Sequence, residues 1–259
     1  MNRTIALLLS YDGTNYHGWQ TQANAVSVQS TLTNAFSNLL NDDIKLTGCG
    51  RTDTGVHAKK YVATLKTTSS FPVARIPYAI NSMLPNDISV HFAHEVSDDF
   101  HPVHSCTEKE YTYYIDNSPV RNPFLTNRAL HHRFTFDIDK VTLAARNFLG
   151  EHDFSSMRSL GTPVKSTVRT IYKCDVLKSG NIIAVTISAN GFLYNMARTI
   201  VGTLLDVSSG KIPPEAISEI LKSSDRNRAG ATAPAHALYM TDVIYPTEFG
   251  LPNVFYGGF

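Results

Sequence analysis

Short apolar runs alternate with amphipathic stretches along the first half of the chain, and their order limits the possible folds more than any other feature. Four segments have the length and apolar content of strands: Ile5–Tyr11, Ile44–Cys49, Lys59–Thr68 and Ile88–Val96. A helix capped by Ser27 is predicted between the first two, and a second helix, starting at Pro77, precedes the last. The resulting order, βαββαβ, is that of a split βαβ unit, in which helices cover one face of an antiparallel sheet.

The second half starts near His104 and resembles the first in topology rather than in sequence. Its strand-like segments are Cys106–Asn117, Val168–Lys178, Asn181–Ala189 and Leu238–Tyr245. Helices are predicted between Asp137 and Gly150, over Phe192–Ser208 and over Pro213–Leu221. We therefore predict an α+β protein with domains at 1–103 and 104–259, each a ferredoxin-like or RRM-like α/β unit. Their antiparallel sheets are expected to form one extended mixed, mostly antiparallel sheet, with helices on one side and the active-site cleft between the halves.

Composition indicates a soluble globular protein, since 42% of the 259 residues are apolar and 17% are charged. No apolar run is long enough to span a bilayer, and the first nine residues lack the pattern of a signal peptide. The chain has three cysteines, which are widely spaced and form no CxxC pair: Cys49, Cys106 and Cys174. An odd number without a framework is typical of a reducing compartment, so we expect a cytoplasmic protein.

The net charge of +1 does not by itself indicate a nucleic-acid-binding protein, but the basic residues are unevenly distributed. No acidic residue occurs between Asp116 and Asp137, or between Asp153 and Asp175. Basic residues in these two intervals that are candidates for phosphate contacts are Arg121, Arg128, Arg133, Lys165 and Lys173. A solvated surface explains such runs equally well on charge alone.

A metal site is the rival chemistry, because the chain has ten histidines and two HxxH pairs. His91 and His94 lie in a predicted strand, where residues three apart point to opposite faces and cannot chelate one ion. Pro102 lies between His101 and His104 and argues against a helix that would align them. We therefore predict no metal site.

The segment from Gly50 to His57 is the strongest candidate for a catalytic loop. Glycines and threonines surround the Asp53 carboxylate, and Arg51 lies two residues before it, so a tight and shaped loop is predicted. The alternative is a hairpin turn in which Asp53 bonds its own backbone, which is common for Asp beside glycine.

Arg198 is the second unusual residue. In the predicted helix it shares a largely apolar face with Tyr194, Val201 and Leu205. A charge buried there requires a partner, whereas a side chain that reaches solvent does not. Both alternatives remain open from spacing alone.

The stretch Gly-Arg-Thr-Asp-Thr-Gly-Val-His at 50–57 resembles the signature of the tRNA pseudouridine synthase A family, which acts on the anticodon stem-loop. The segment Asn-Gly-Phe-Leu-Tyr-Asn-Met-Ala-Arg, which ends at Arg198, is similar to a second motif of that family. Tyr111 lies in Lys-Glu-Tyr-Thr-Tyr, which resembles the family's basic-x-Tyr-x-Tyr strand. Further similar stretches are Tyr11–Thr14, Gly18–Gln20, Leu84–Asp87, His152–Ser156, Arg169–Ile171 and Ala233–Tyr239.

The resemblance implies an isomerase that converts uridine to pseudouridine at tRNA positions 38, 39 and 40, as a homodimer without cofactor or metal. Asp53 is then the catalytic residue, as a nucleophile or as a base, and the target base must first leave its stack. Tyr111 stacks on the flipped uracil, and Arg198 pairs with Asp53. Arg51 occupies the vacated space, and Leu238 closes an apolar wall.

Three departures from the family pattern affect the expected tRNA contacts rather than the chemistry. Val103 and Thr112 stand where the family commonly has arginine, and Thr54 stands where alanine is common. The alternative function is a non-catalytic RNA-binding or tRNA-chaperone module of the same fold. Retention of Asp53, Tyr111 and Arg198 together favours the enzyme.

Overall fold

The computed structural model describes residues 2–161 and 164–255. Its strands are β1 (Arg3–Tyr11), β2 (Leu46–Gly48), β3 (His57–Thr67), β4 (Ile88–Val96), β5 (Glu108–Asp116), β6 (Leu130–His131), β7 (Gly150–Asp153), β8 (Val168–Ser179), β9 (Ile182–Ala189) and β10 (Leu238–Ile244). Its α-helices are α1 (Val28–Leu40), α2 (Ile76–Asn81), α3 (Ile138–Arg146), α4 (Met196–Ser208) and α5 (Ala216–Ser223). Every helix in the described ranges is too short or too polar to cross a bilayer.

The chain divides into two compact units, and their limits differ from the single boundary predicted after residue 103. The first unit holds the described residues up to Lys109 together with those from Tyr239 onward, and the second holds Glu110–Leu238. The chain returns to the first unit because β10 pairs in parallel with β3, Tyr239 opposite His57. The buried Lys60 of β3 reinforces this pairing through an ion pair with Asp242 of β10, 2.5 Å from Nζ to Oδ1.

The first unit has the predicted βαββαβ order and a sheet in which β1 lies between β4 and β3, antiparallel to both. β2 pairs with the later part of β3, at 63–65, while β10 pairs with its first residues. Ile5–Leu9 of β1 are all fully buried because the strand is central and covered. Ser27 caps α1 and exchanges hydrogen bonds with Ser30 in a capping box, as its sequence position predicts.

The second unit contains the strand order β5-β9-β8-β7, with β6 parallel to β5. β8 and β9 form the predicted hairpin, and Gly180 adopts the positive φ of 58° that its turn requires. Asp137 caps α3 by accepting a hydrogen bond from the amide of Lys140, 3.1 Å away. The α+β class with mixed, mostly antiparallel sheets is confirmed, and the predicted cleft between the halves stays a prediction.

The helix predicted over Phe192–Ser208 is wrong at its first turn, because α4 begins only at Met196. Asn195 precedes it with a left-handed φ of 61°, which ends the preceding turn and prevents the helix from extending toward Phe192. Tyr194 therefore does not share a helical face with Arg198. The short strands β6 and β7 were not predicted.

Candidate active site

Asp53 lies in a tight turn directly before β3, and its side chain is partly buried. The amide of Val56 donates to the carbonyl of Asp53 over 3.1 Å, and Gly55 takes a φ of 80° that other residues rarely adopt. The glycine therefore permits the chain to turn back toward β3 within two residues of the carboxylate. The predicted shaped loop is confirmed in its backbone.

Residues 13–19 support the Asp53 loop from the opposite side. The amide of Trp19 donates to the carbonyl of Thr52 over 3.2 Å, and the amide of Gly55 donates to the carbonyl of Tyr16 over 3.3 Å. Gly18 is required at this contact, because a Cβ there would lie 2.2 Å from the carbonyl oxygen of Thr52. These main-chain contacts fix the position of the Asp53 backbone. They are possible only because position 18 carries no Cβ.

An aromatic cluster underlies the loop. The rings of Trp19 and Tyr61 stack with centroids 4.2 Å apart, and Tyr11 meets Tyr61 edge to face at 5.6 Å. Their polar atoms bind the loop, since Tyr61 Oη donates to the carbonyl of Gly50 and Tyr11 Oη lies 2.9 Å from Thr52 Oγ1. Burial raises the pKa of the Tyr11 phenol, so Tyr11 is neutral at physiological pH.

Cys49 precedes the loop but is not a candidate nucleophile. Its side chain is fully buried, and burial raises the pKa of the thiol to about 12. The protonated sulfur packs against Met240 Sδ at 3.7 Å. Since thiolate is the reactive form, the cysteine beside the loop is inert at neutral pH.

In the second unit, Tyr111 lies on β5 with its ring buried. Phe192 packs against it edge to face, with ring centroids 4.8 Å apart. This contact fixes the plane of the tyrosine ring, which a stacking role requires. Phe192 belongs to the segment before α4 that the sequence assigned to the helix, so its packing partner was not predicted.

Arg198 lies in the first turn of α4 and is partly buried. Its Nε donates to the carbonyl of Ala233 over 2.7 Å, and its Nη1 donates to Asn195 Oδ1 over 2.9 Å. Ala233 returns a hydrogen bond from its amide to the carbonyl of Arg198 over 3.1 Å. The guanidinium is therefore held by its neighbours rather than displayed on a flexible stem.

The family profile described as tRNA pseudouridine synthase matches residues 8–104 and 144–246. The chain belongs to the tRNA pseudouridine synthase family. The tRNA pseudouridine synthase A of Ruminiclostridium cellulolyticum is 46% identical over 244 residues, covering 94% of this chain and all of that protein. The enzyme of the same name from a Thermoanaerobacter species is 44% identical over 243 residues, with the same two coverages.

Among solved structures, the one titled Cbf5-Nop10-Gar1 complex covers 91% of this chain and 57% of that chain, at 13% identity and a TM-score of 0.37.

Within this tRNA pseudouridine synthase the matched segments include Asp53, Arg51, Arg198 and Leu238, whereas Tyr111 lies between the two matches. Arg51 is exposed in the loop, and Leu238 is buried at the start of β10.

The candidate phosphate contacts differ in how available their charges are. Arg121, Arg128 and Arg133 are exposed, and so is Lys165. Lys173 is exposed too, but its Nζ lies 2.8 Å from Glu110 Oε2 in an ion pair. The pairing lowers the electrostatic contribution that Lys173 can make to a phosphate.

The two histidine pairs do not form a metal cluster. Nδ1 of His101 accepts hydrogen bonds from the amides of Val103 and His104, at 3.1 and 3.3 Å. His91 Nε2 lies 2.7 Å from Ser10 Oγ. Within residues 2–161 and 164–255, no group of three or more His, Cys, Asp or Glu side chains is arranged to hold an ion.

Proposed function

We propose that the chain converts uridine to pseudouridine at positions 38, 39 and 40 of the tRNA anticodon stem-loop, with Asp53 as the catalytic residue. The coarser statement follows from the family: the chain is a tRNA pseudouridine synthase, an isomerase that acts on uridine in tRNA. The observation that carries the finer proposal is the intact 50–57 loop, held by glycine contacts that place the Asp53 backbone in one position. The anticodon stem-loop and the three positions come from the motif resemblance.

The reaction breaks the bond between C1′ and N1, turns the uracil and joins C5 to C1′. N1 gains a proton and C5 loses one, so the exchange balances without an oxidant or reductant. Asp53 acts at the sugar, either as nucleophile on C1′ or as the base that removes a proton and opens a glycal route. Both routes use an ionised carboxylate. We infer that no cofactor or metal takes part, because the chemistry is a rearrangement within one nucleotide.

Tyr111 stacks on the extruded uracil in this proposal. Its ring is already held by Phe192, so little conformational entropy is lost when the base arrives. Leu238 contributes an apolar wall. Arg51, which is exposed, occupies the space that the base vacates.

Arg198 is the proposed partner of the Asp53 carboxylate. Its guanidinium has five N–H donors, and the bonds to Ala233 and Asn195 use Nε and one hydrogen of Nη1. The rigid anchoring by Ala233 and Asn195 is what allows the arginine to orient Asp53 rather than follow it.

We also propose that the protein is cytoplasmic and that it acts as the homodimer that the motif resemblance implies.

Four exposed basic residues are proposed to contact tRNA phosphates: Arg121, Arg128, Arg133 and Lys165. Replacing Arg121, Arg128 and Arg133 together by glutamine should make the slope of log affinity against log salt less negative by about 2–3 units, since each phosphate contact contributes nearly one. Lys173→Gln should change the slope less, because Glu110 already pairs with that lysine. An unaltered slope in the triple variant places the RNA on another surface.

The direct test of the proposed function is modification mapping. Purified protein is incubated with an unmodified tRNA transcript that carries uridine at positions 38, 39 and 40, and pseudouridine is located by carbodiimide labelling and primer extension. Pseudouridine at one or more of those positions and nowhere else supports the proposal. Tight tRNA binding without any pseudouridine supports the alternative, a non-catalytic RNA-binding module.

A further inference from the structure

Residues 117–136, between β5 and α3, display two phenylalanines to solvent; we call them the 117–136 segment. Phe124 is 90% exposed and Phe134 is 63% exposed. An aromatic ring of this size gains free energy when it leaves water, so exposure of two in one segment requires explanation.

The exposure does not result from a loosely held segment. Asp116, buried at its start, accepts hydrogen bonds from the amide of Ser118 over 3.1 Å and from the amide of Asn122 over 3.4 Å. Nδ2 of Asn117 donates to the carbonyls of His132 and Phe134, over 2.6 and 2.8 Å, and so ties the end of the segment to its beginning. The two phenylalanines are therefore held outward by an ordered backbone.

Phe124 sits on a separate small support. Oδ1 of Asn122 accepts from the amide of Phe124 over 3.0 Å and caps the short turn Pro123–Leu125. The amides of Arg128 and Ala129 then close on the carbonyl of Leu125, at 2.9 and 3.1 Å. These hydrogen bonds fix the backbone of the turn, and the exposed Phe124 ring projects from it into solvent.

The charged residues within the 117–136 segment all have one sign. No Asp or Glu occurs from 117 to 136, and Arg121, Arg128 and Arg133 are exposed there. The guanidinium carbon of Arg133 lies 5.1 Å from the centre of the Phe134 ring, which places a cation beside an exposed aromatic face. Aromatic faces among cations match a polyanion that carries stackable bases.

We propose that Phe124 and Phe134 each provide a base-stacking platform for an unpaired nucleotide of the RNA substrate, with the arginines of the same segment on the adjoining phosphates. The inference rests on the proposed function and deepens it, because it assigns a contact outside the residues that act on the target uridine. A second copy of the chain is disfavoured as the occupant. In a two-fold contact the same surface would face itself, and three arginines without an acid would meet three more.

The first experiment measures RNA affinity with and without the ring. Phe124→Ala should weaken binding of an unmodified tRNA transcript by about 5- to 150-fold, the loss typical of one stacked base. It should leave the salt slope at the parent value, because stacking releases no counterions. Tyr78→Ala is the matched control, because Tyr78 is also a highly exposed aromatic residue, at 83%, but lies in a stretch with few basic residues. Arg75 is the one Lys or Arg between residues 67 and 108. The control should bind as tightly as the parent.

The second experiment reports contact directly. The native Trp19 is 1% exposed and is the one tryptophan of the chain, so Phe124→Trp introduces an accessible fluorophore against a buried background. Single-stranded oligouridylate should quench its emission and the parent's much less. Phe124→Trp should also retain the parent affinity for the tRNA transcript, since indole stacks at least as well as phenyl.

Three outcomes overturn the inference. Parent-like affinity of Phe124→Ala, with normal pseudouridine formation by the parent, removes the platform and leaves the proposed function intact. Conversion of a parent dimer to a monomer by Phe124→Ala in light scattering shows that the surface binds a second copy. If Phe124→Ala changes the slope of log affinity against log salt as the triple arginine variant does, Phe124 acts through the phosphate contacts rather than by stacking. Matching thermal melts of parent and variants are the folding check.

Discussion

Nδ1 of His57 lies 2.9 Å from Oδ1 of Asp12, and this contact joins the residue that ends the Asp53 loop to the turn after β1. His57 is buried and its ring stacks on Tyr239 with centroids 4.5 Å apart. Asp12 meanwhile accepts from the amide and the hydroxyl of Thr14, at 3.0 and 2.6 Å. One carboxylate therefore organises both the turn and the last residue of the loop.

Asp12→Ala should lower the free energy of unfolding by about 1–2 kcal/mol, as for other lost caps, and should also lower kcat/KM. The rate falls because His57 loses its anchor and the Asp53 loop can shift. Thermal melts and single-turnover rates on one tRNA transcript measure the two effects. Asp42→Ala is the control, since Asp42 accepts from Thr67 and Thr68 in a similar way but outside the loop. It should lose stability without loss of rate, and equal rate losses in both variants would contradict the positioning role.

Gly18 provides a second test of the loop support. Gly18→Ala should destabilise the protein and reduce pseudouridine formation, because the new Cβ would lie 2.2 Å from the Thr52 carbonyl oxygen and push the Asp53 backbone away. Gly210→Ala carries the same backbone strain, with a φ of 77° against 81°, but meets nothing within 4 Å. Strain alone costs about 1–2 kcal/mol. If both variants show the same loss of stability and rate, the contact with Thr52 has no catalytic importance.

Substitutions of Arg198 distinguish an electrostatic role of this residue from a structural one. Arg198→Met should lower kcat/KM roughly 30-fold or more, equivalent to about 2–5 kcal/mol for a truncated charge pair. Arg198→Lys should fall between parent and Met, because it restores the charge without the planar donors. Asn195→Gly keeps the left-handed backbone and removes the acceptor of Nη1 together with the hydrogen bond from Asn195 Nδ2 to Ser159 Oγ, while the Arg198 charge stays, so its loss of rate should be the smallest. Identical kinetics for Lys and Met, with equal losses of stability, would assign Arg198 to holding Ala233 alone.

Periodic and capped elements could be predicted closely from the sequence. β4 has the predicted bounds, and Ser27 and Asp137 cap the helices that follow them. These features depend on neighbours within a few residues. The shaped loop around Asp53 could be predicted because it is one contiguous motif.

Features that depend on distant contacts could not be predicted. The parallel pairing of Tyr239 with His57 joins residues 182 positions apart in the sequence and involves two residue pairs. The packing of Gly18 against Thr52 gives no periodic signal. The start of α4 was misplaced because Phe192, Leu193 and Met196 continue an apolar pattern through a turn that the left-handed Asn195 ends. β6 and β7 are too short for alternation to appear.

Asp53→Asn is the decisive variant for the catalytic role of Asp53, because the amide keeps the size of the side chain and removes its charge. The measurement is pseudouridine formation by the purified variant on an unmodified tRNA transcript, beside a binding titration with the same RNA. We predict that no product forms above background while tRNA affinity and the thermal midpoint stay close to the parent values. Product formation at near the parental rate would contradict the assignment of Asp53.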